Sequence, residues 1–271
     1  MTPDAATTDP RGGTFVVRGG RLFDPGTGLD ETGDVVIEGG RIVAAGASVA
    51  VPRDARVLDA RGALVTPAFT DLHVHLREPG GEASETIATG TAAALAGGFA
   101  TVLAMPNTTP TADTPEVVRF VREAAARAGP CEVVPVSAIT AGLRGRDLVD
   151  FAAQAAAGAG AFSDDGSWVA DDEVARQAFR EAGARGWLLL EHCEDFGMTG
   201  PGLLHDAPST RAAGVPGIPR GAEDRATARD VRLAEEHGAR LHLSHVSTAG
   251  AVGLLRDAKA RGVAVTGEAT P

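Results

Sequence analysis

Between about residues 14 and 66, apolar positions come in short alternating or continuous runs. FVVRGGRLF, DVVIEGGRIVAAG and RVLDARGALVTP are separated by turns rich in glycine. This pattern predicts short strands forming a small antiparallel, sandwich-like β domain over residues 14–66, after a loosely held, disordered tail over residues 1–13. From about residue 71 the rhythm changes. Strand-length apolar runs (DLHVHL, FATVLAMP, CEVVPVSAI, AFSDD, WLLLEH, LHLSHV and VAVTGEATP) alternate with stretches rich in alanine, glutamate and arginine. In those stretches apolar residues recur three and four apart, as on one face of a helix. A long loop is expected after WLLLEH. Strand–helix alternation at this spacing predicts an α/β fold with a parallel sheet, here seven strands over residues 67–271.

Two architectures share that alternation. A doubly wound dinucleotide fold calls for G-x-G-x-x-G just after its first strand, and none follows DLHVHL. A TIM-type (β/α)8 barrel instead gathers its chemistry at the C-terminal ends of several strands.

Composition narrows the function classes. With 271 residues, 44% of them hydrophobic, the chain can bury a substantial core. A formal net charge of −11 without a basic run argues against nucleic acid or an anionic membrane surface as partner. Two cysteines, Cys131 and Cys193, make no disulfide framework and fit a reduced, cytoplasmic setting. The segment MTPDAATTDPRGG has no apolar run of the signal-peptide kind, and no stretch reaches membrane-spanning length. Lys259 is the sole lysine, and it falls in a helical stretch where a solvated surface position is expected.

The candidate chemistry starts at TDLHVHLREPG, residues 70–80. In a strand, His73 and His75 share one face and Val74 takes the other. Taken alone, the pair does not separate a metal site from two histidines that happen to share a strand. Position does more. Asp164 and Asp165 end the fourth strand, His192 the fifth and His245 the sixth. In a barrel these ends converge on one mouth. His205 and His237 read as solvated. Alternation turns His242 away from His245, to pack between strand and helix, and makes Cys193 a small buried filler. Asp164 is either an acceptor that orients a ligand or the first residue of a turn.

The motifs D71-L-H-V-H-L-R-E-P-G, M-P-N-T at 105–108, F-S-D-D-G at 162–166, E-H-C-E-D at 191–195 and S-H-V-S-T at 244–248 together resemble the dihydroorotases of the amidohydrolase superfamily. The match is to the bacterial type in which an aspartate bridges two metals, and it runs from about residue 14 to the end. The resemblance implies a cyclic amide hydrolase interconverting dihydroorotate and N-carbamoyl-aspartate in pyrimidine synthesis. A metal-bridging hydroxide would attack the ring amide carbonyl. It further implies two Zn2+ ions: His73 and His75 on the first, Asp165 bridging as the catalytic carboxylate, His192 and His245 on the second. Arg77 and Asn107, beside His75, would bind the substrate carboxylate. By strand alternation Arg77 shares the face of His75 and supplies a local cation in an acidic protein.

Related hydantoinases and allantoinases, which bridge their metals with a carboxylated lysine, are the enzyme alternative. An inactive dihydroorotase-like scaffold supporting aspartate carbamoyltransferase is the non-enzyme alternative. The position of Lys259 after the sixth strand argues against the first, and the presence of all five expected ligands against the second. Association with aspartate carbamoyltransferase and a homodimer are the partner expectations. The resemblance also implies an eighth strand bearing an acid/base aspartate, and a later loop, neither of which occurs in these 271 residues. The chain therefore reads as a fragment, with turnover by the fragment itself not expected.

Overall fold

The computed structural model describes residues 13–270, so the tail expected over 1–13 lies almost wholly outside the described residues. The chain divides into two compact units, one ending at Ala68 and one beginning at Phe69.

In the first unit, β1 (Phe15–Asp24) pairs antiparallel with β2 (Leu29–Glu38), which pairs antiparallel with β3 (Arg41–Gly46). The strands β4 (Arg56–Asp59) and β5 (Leu64–Val65) then return alongside β1 in the parallel sense. The sheet is therefore mixed, which corrects the expectation of an antiparallel one. A parallel pair needs a long crossover, and here β2, β3 and the loop after them serve as it. Local polar–apolar alternation is the same for both senses, so the sequence could not tell them apart.

The second unit is a curled seven-stranded parallel sheet of TIM-barrel type with helices packed on one face. Its strands are β6 (Phe69–Val74), β7 (Phe99–Ala104), β8 (Glu132–Ser137), β9 (Ala161–Phe162), β10 (Leu188–Glu191), β13 (Arg240–Leu243) and β14 (Val265–Gly267). They lie in sequence order, with β6 and β14 at the two edges. The expected long loop after β10 carries α5 (Phe196–Thr199), β11 (Leu204–His205), α6 (Pro208–Ala212) and β12 (Gly217–Ile218), with β11 and β12 paired to each other.

The helices follow from their apolar stripes and caps. In α2 (Pro115–Ala128), Val117, Val118, Val121, Ala124 and Ala125 are buried on one side. The Asp171 side chain accepts the Glu173 and Val174 amides at the start of α4 (Asp172–Arg185). The Thr248 hydroxyl accepts the Ala251 amide at the start of α8 (Ala249–Ala260). Helices α1 (Ile87–Ala96), α3 (Phe151–Ala157) and α7 (Gly221–His237) complete the layer. Gly183 lets α4 approach the end of α7, because a β-carbon there would sit 2.2 Å from the His237 carbonyl oxygen.

Alternation assigns the two faces of the sheet. Phe162, Leu189, Leu241 and Leu243 pack outward among helix residues such as Phe179, Leu233 and Ala258. Leu103, Met105, Val136, Ala161 and Leu190 form a separate cluster on the inner face. An apolar floor thus lies beneath the ends of the strands, where the polar residues collect.

Candidate metal centre

Four imidazoles and one carboxylate meet at the C-terminal ends of β6, β9, β10 and β13. His73 Nε2 lies 3.2 Å from Asp165 Oδ1, and His75 Nε2 lies 3.4 Å from Asp165 Oδ2. The two Nε2 atoms are 3.3 Å apart. On the other side, His245 Nε2 is 4.0 Å from Asp165 Oδ1 and 3.0 Å from His192 Nδ1. Ligand-type atoms therefore form two triplets, His73–His75–Asp165 and Asp165–His192–His245, each within 4.8 Å. Asp165 belongs to both.

The strands explain the gathering. Ala161, Ser163 and Asp165 share the inward parity of β9 and its continuation, and His192 follows Leu190 inward on β10. His73 lies on β6 just before its end, and Val74 packs outward against a separate core cluster. His245 lies beyond β13 on a turn with φ +39°. Glu223 secures that turn by accepting the amides of Ser247 and Thr248 and the Ser247 hydroxyl.

Each triplet has partners that turn ring nitrogens toward it. His75 Nδ1 donates to Asn107 Oδ1 at 2.9 Å, and the same amide donates from Nδ2 to Asp165 Oδ2 at 3.2 Å. His192 Nε2 donates to Glu194 Oε2 at 3.0 Å, leaving Nδ1 toward the centre. His73 Nδ1 lies 3.4 Å from Glu268 Oε1. Such outer carboxylates and amides fix the imidazole tautomer and orientation at metal sites.

The electrostatics point the same way. Asp165 is 4% exposed, and among the described residues only imidazoles form ion pairs with it. Burial would raise its pKa, yet the hydrogen bond to His73 and the nearby imidazoles hold it below the usual value. His73 shows the complement. Burial opposes its charge, but Asp165 and Glu268 outweigh that and raise its pKa to about 9. His75 is lowered by burial, and the charges of His73 and Arg77 add to that lowering. His245 is lowered by burial and by the charges of His192 and His73. His75 and His245, whose imidazoles are depressed, face the low-pKa Asp165 carboxylate, a donor set suited to a metal cation once His73 gives up its proton.

Several expected positions need correction. His242 does not pack between strand and helix. It is buried on the inner face, with Nδ1 2.8 Å from Thr266 Oγ1 and Nε2 3.4 Å from Glu268 Oε2. Alternation from His245 failed because β13 ends at Leu243 and His245 has a left-handed backbone. His237 is only 16% exposed at its side chain, against the solvated reading, while His205 is exposed and within 3.3 Å of Arg220. Arg77 lies past the end of β6 at φ +60°, so strand alternation does not place it. It is exposed, although its charge is felt at His75. Asp164 is an acceptor for the Ile139 and Thr140 amides and the Thr140 hydroxyl and touches none of the four histidines. Cys193 is buried as expected, with its thiol 3.4 Å from Asp230 Oδ2. Lys259 is exposed on α8.

Glu194, Glu268 and His242 were missed as members of the site. The signal for His242 was available: in LHLSH it is the polar residue between Leu241 and Leu243, which face outward. Two clefts flank the centre. One of about 170 Å³ is lined by residues including His192, Glu194, His205, Arg220 and His245. The other, of about 320 Å³, is lined by Asp71, His73, His75, His245 and Glu268 among others.

A curled parallel sheet that gathers its polar side chains at the strand ends is the arrangement of a TIM-type barrel. Accordingly, the fold is similar to that of the L-hydantoinase (dihydropyrimidinase) from Arthrobacter aurescens, with a TM-score of 0.78 at 22% identity, over 96% of this chain and 58% of that one. The family is narrower than the fold: the model of dihydro-orotase-like proteins matches residues 62–251, and the chain belongs to that family. It is 49% identical to a dihydroorotase of Anaeromyxobacter dehalogenans, over 94% of this chain and 59% of the relative. It is 48% identical to a dihydroorotase of Pelotomaculum thermopropionicum, over 95% and 60%. The chain thus spans about 60% of the length of these curated relatives. Among the described residues, no helix is long and apolar enough to cross a membrane.

Proposed function

We propose that the chain carries the metal centre and carboxylate-binding side of a dihydroorotase, which interconverts dihydroorotate and N-carbamoyl-aspartate. The observation that carries this reading is the sharing of Asp165 between two histidine pairs. In the proposal His73 and His75 hold one zinc ion, His192 and His245 the other, and Asp165 touches both. Two such ions supply a nucleophile at neutral pH and polarise an amide carbonyl. The protein's own part is orientation. Asn107 holds His75 and Asp165 together, Glu194 holds His192, and the apolar floor of Leu103, Met105 and Leu190 limits solvent below. Arg77 is the cation for the substrate carboxylate, close enough for its charge to be felt at His75.

A hydantoinase-type reading shares the fold but fits this centre less well. A carboxylated lysine cannot replace Asp165 here, because Lys259 is exposed on α8. The curated relatives at 48–49% identity are dihydroorotases, while the hydantoinase likeness at 22% concerns the fold.

The test is binding. The zinc-loaded protein should take up two ions and bind dihydroorotate in preference to hydantoin or dihydrouracil, which lack the carboxylate. Arg77→Met should keep the zinc and weaken dihydroorotate by about 2–3 kcal/mol, the usual scale for a charge-assisted hydrogen bond. Equal binding of all three rings would overturn the substrate assignment.

A further inference from the structure

Glu268 lies just past β14, one edge of the seven-stranded sheet, and His73 lies on β6, the other edge. Between these strands the sheet itself makes no ladder. The Glu268 carboxylate nevertheless spans from one to the other: Oε1 is 3.4 Å from His73 Nδ1, and Oε2 is 3.4 Å from His242 Nε2 on β13. Both nitrogens are buried and make no hydrogen bond of their own among the described residues. The carboxylate is the acidic group within ion-pair distance of each.

The main chain of Glu268 is held equally firmly. Its amide donates to the Leu243 carbonyl at 3.0 Å, and its carbonyl accepts the Val246 amide at 2.7 Å. These two bonds bracket the turn that presents His245. One residue is therefore tied to a member of each triplet, to His73 through its side chain and to His245 through its backbone. On the far side, Thr266 at 2.8 Å occupies His242 Nδ1, which leaves His242 Nε2 directed at Glu268.

We infer that Glu268 is a positioning residue of the proposed centre: it holds the His73 ring with Nε2 toward Asp165, using His242 as a brace for its second oxygen. The inference rests on the zinc reading above. It goes beyond it by assigning a function to a residue that touches no substrate and no reacting atom. Outer carboxylates of this kind typically change metal affinity by about 10–100-fold when removed.

The experiment is zinc competition against a chromophoric chelator, with cobalt substitution as a spectroscopic readout. Wild type should bind two ions. Glu268→Ala should weaken one of them by about 10–100-fold and shift the cobalt bands, because the His73 ring is freed. Both variants keep the backbone bonds, and Glu268→Gln also keeps one acceptor oxygen, so its affinity should fall between wild type and Glu268→Ala. A general loss of fold would lower thermal stability in both variants without that ordering, and that result would count against positioning. Wild-type affinity and an unshifted cobalt spectrum in Glu268→Ala, with two ions bound to the wild type, would overturn the inference while leaving the zinc reading intact. Failure of the wild type to bind zinc would overturn both.

Discussion

Asp164 and Asp165 are adjacent in the chain yet lie on opposite faces of the sheet. Asp165 turns inward to His73 and His75, while Asp164 turns outward and is held by the amides of Ile139 and Thr140. The two substitutions should therefore fail in different ways. Asp165→Ala should abolish binding of both zinc ions and, in the metal-free protein, also lose the stability of the buried pairing with His73. Asp164→Ala should retain zinc binding but lose about 2–4 kcal/mol of stability, because buried donors lose their acceptor. Metal analysis and urea unfolding of both variants separate these outcomes, and matching losses in both assays would mean that the face assignment is wrong.

Asn107 joins His75 to Asp165 through one amide. Asn107→Ala should weaken zinc by about 10–100-fold while the fold persists. Chelator competition measures the first effect and circular dichroism the second. If zinc affinity is untouched and only dihydroorotate binding falls, Asn107 serves the substrate alone.

His73 gives the centre a pH dependence. In the metal-free protein its pKa is raised to about 9 from an ordinary 6.5. The stability it contributes is fully present below about 6.5 and is lost as pH rises through about 9. Zinc needs the neutral ring, so an ion must displace that proton. Zinc affinity should therefore climb between those two values and level off above the upper one. A flat affinity over this range would show that His73 is already neutral.

Glu191 ends β10 on the outer face, fully buried near Asp230, Arg229 and Asp164. Burial, with the Asp230 charge adding to it, raises its pKa well above the ordinary 4.5, and Arg229 relieves this in part. The sign is the reverse of the usual carboxylate. Its favourable contribution is fully present below about 4.5 and declines as pH rises toward the folded-state value. Glu191→Gln, a neutral isostere, should leave stability at acidic pH nearly unchanged and make the protein relatively more stable at alkaline pH. Thermal melts of both proteins across that range test it, and parallel curves would show that Glu191 titrates normally.

The strands, the principal helices and the inward positions of His73, Asp165 and His192 were legible because each rests on a local period. Inward parity alone puts Asp165 and His192 on the same side as Ala161 and Leu190. What was not legible lies where the period stops. Arg77 and His245 have positive φ, so counting by twos past β6 and β13 misplaces Arg77 and, through His245, His242. The parallel return of β4 and β5 depends on a distant partner strand, which local alternation does not record. Glu268 was passed over because its partners, His73 and His242, belong to other strands far away in the chain.

That separation has a consequence for the order of folding. His73 and Glu268 stand near opposite ends of the second unit, and the other site residues are spread between them. Contacts so remote in sequence carry a large loop-closure cost and slow the folding of a parallel sheet. The ligand set is therefore complete only when β6 and β13, remote in sequence, stand in the same sheet. An ion held there binds the native state and not the open chain, so it adds to native stability by mass action. Because its contacts depend on that long-range closure, its effect falls on how slowly the sheet comes apart rather than on how quickly it forms.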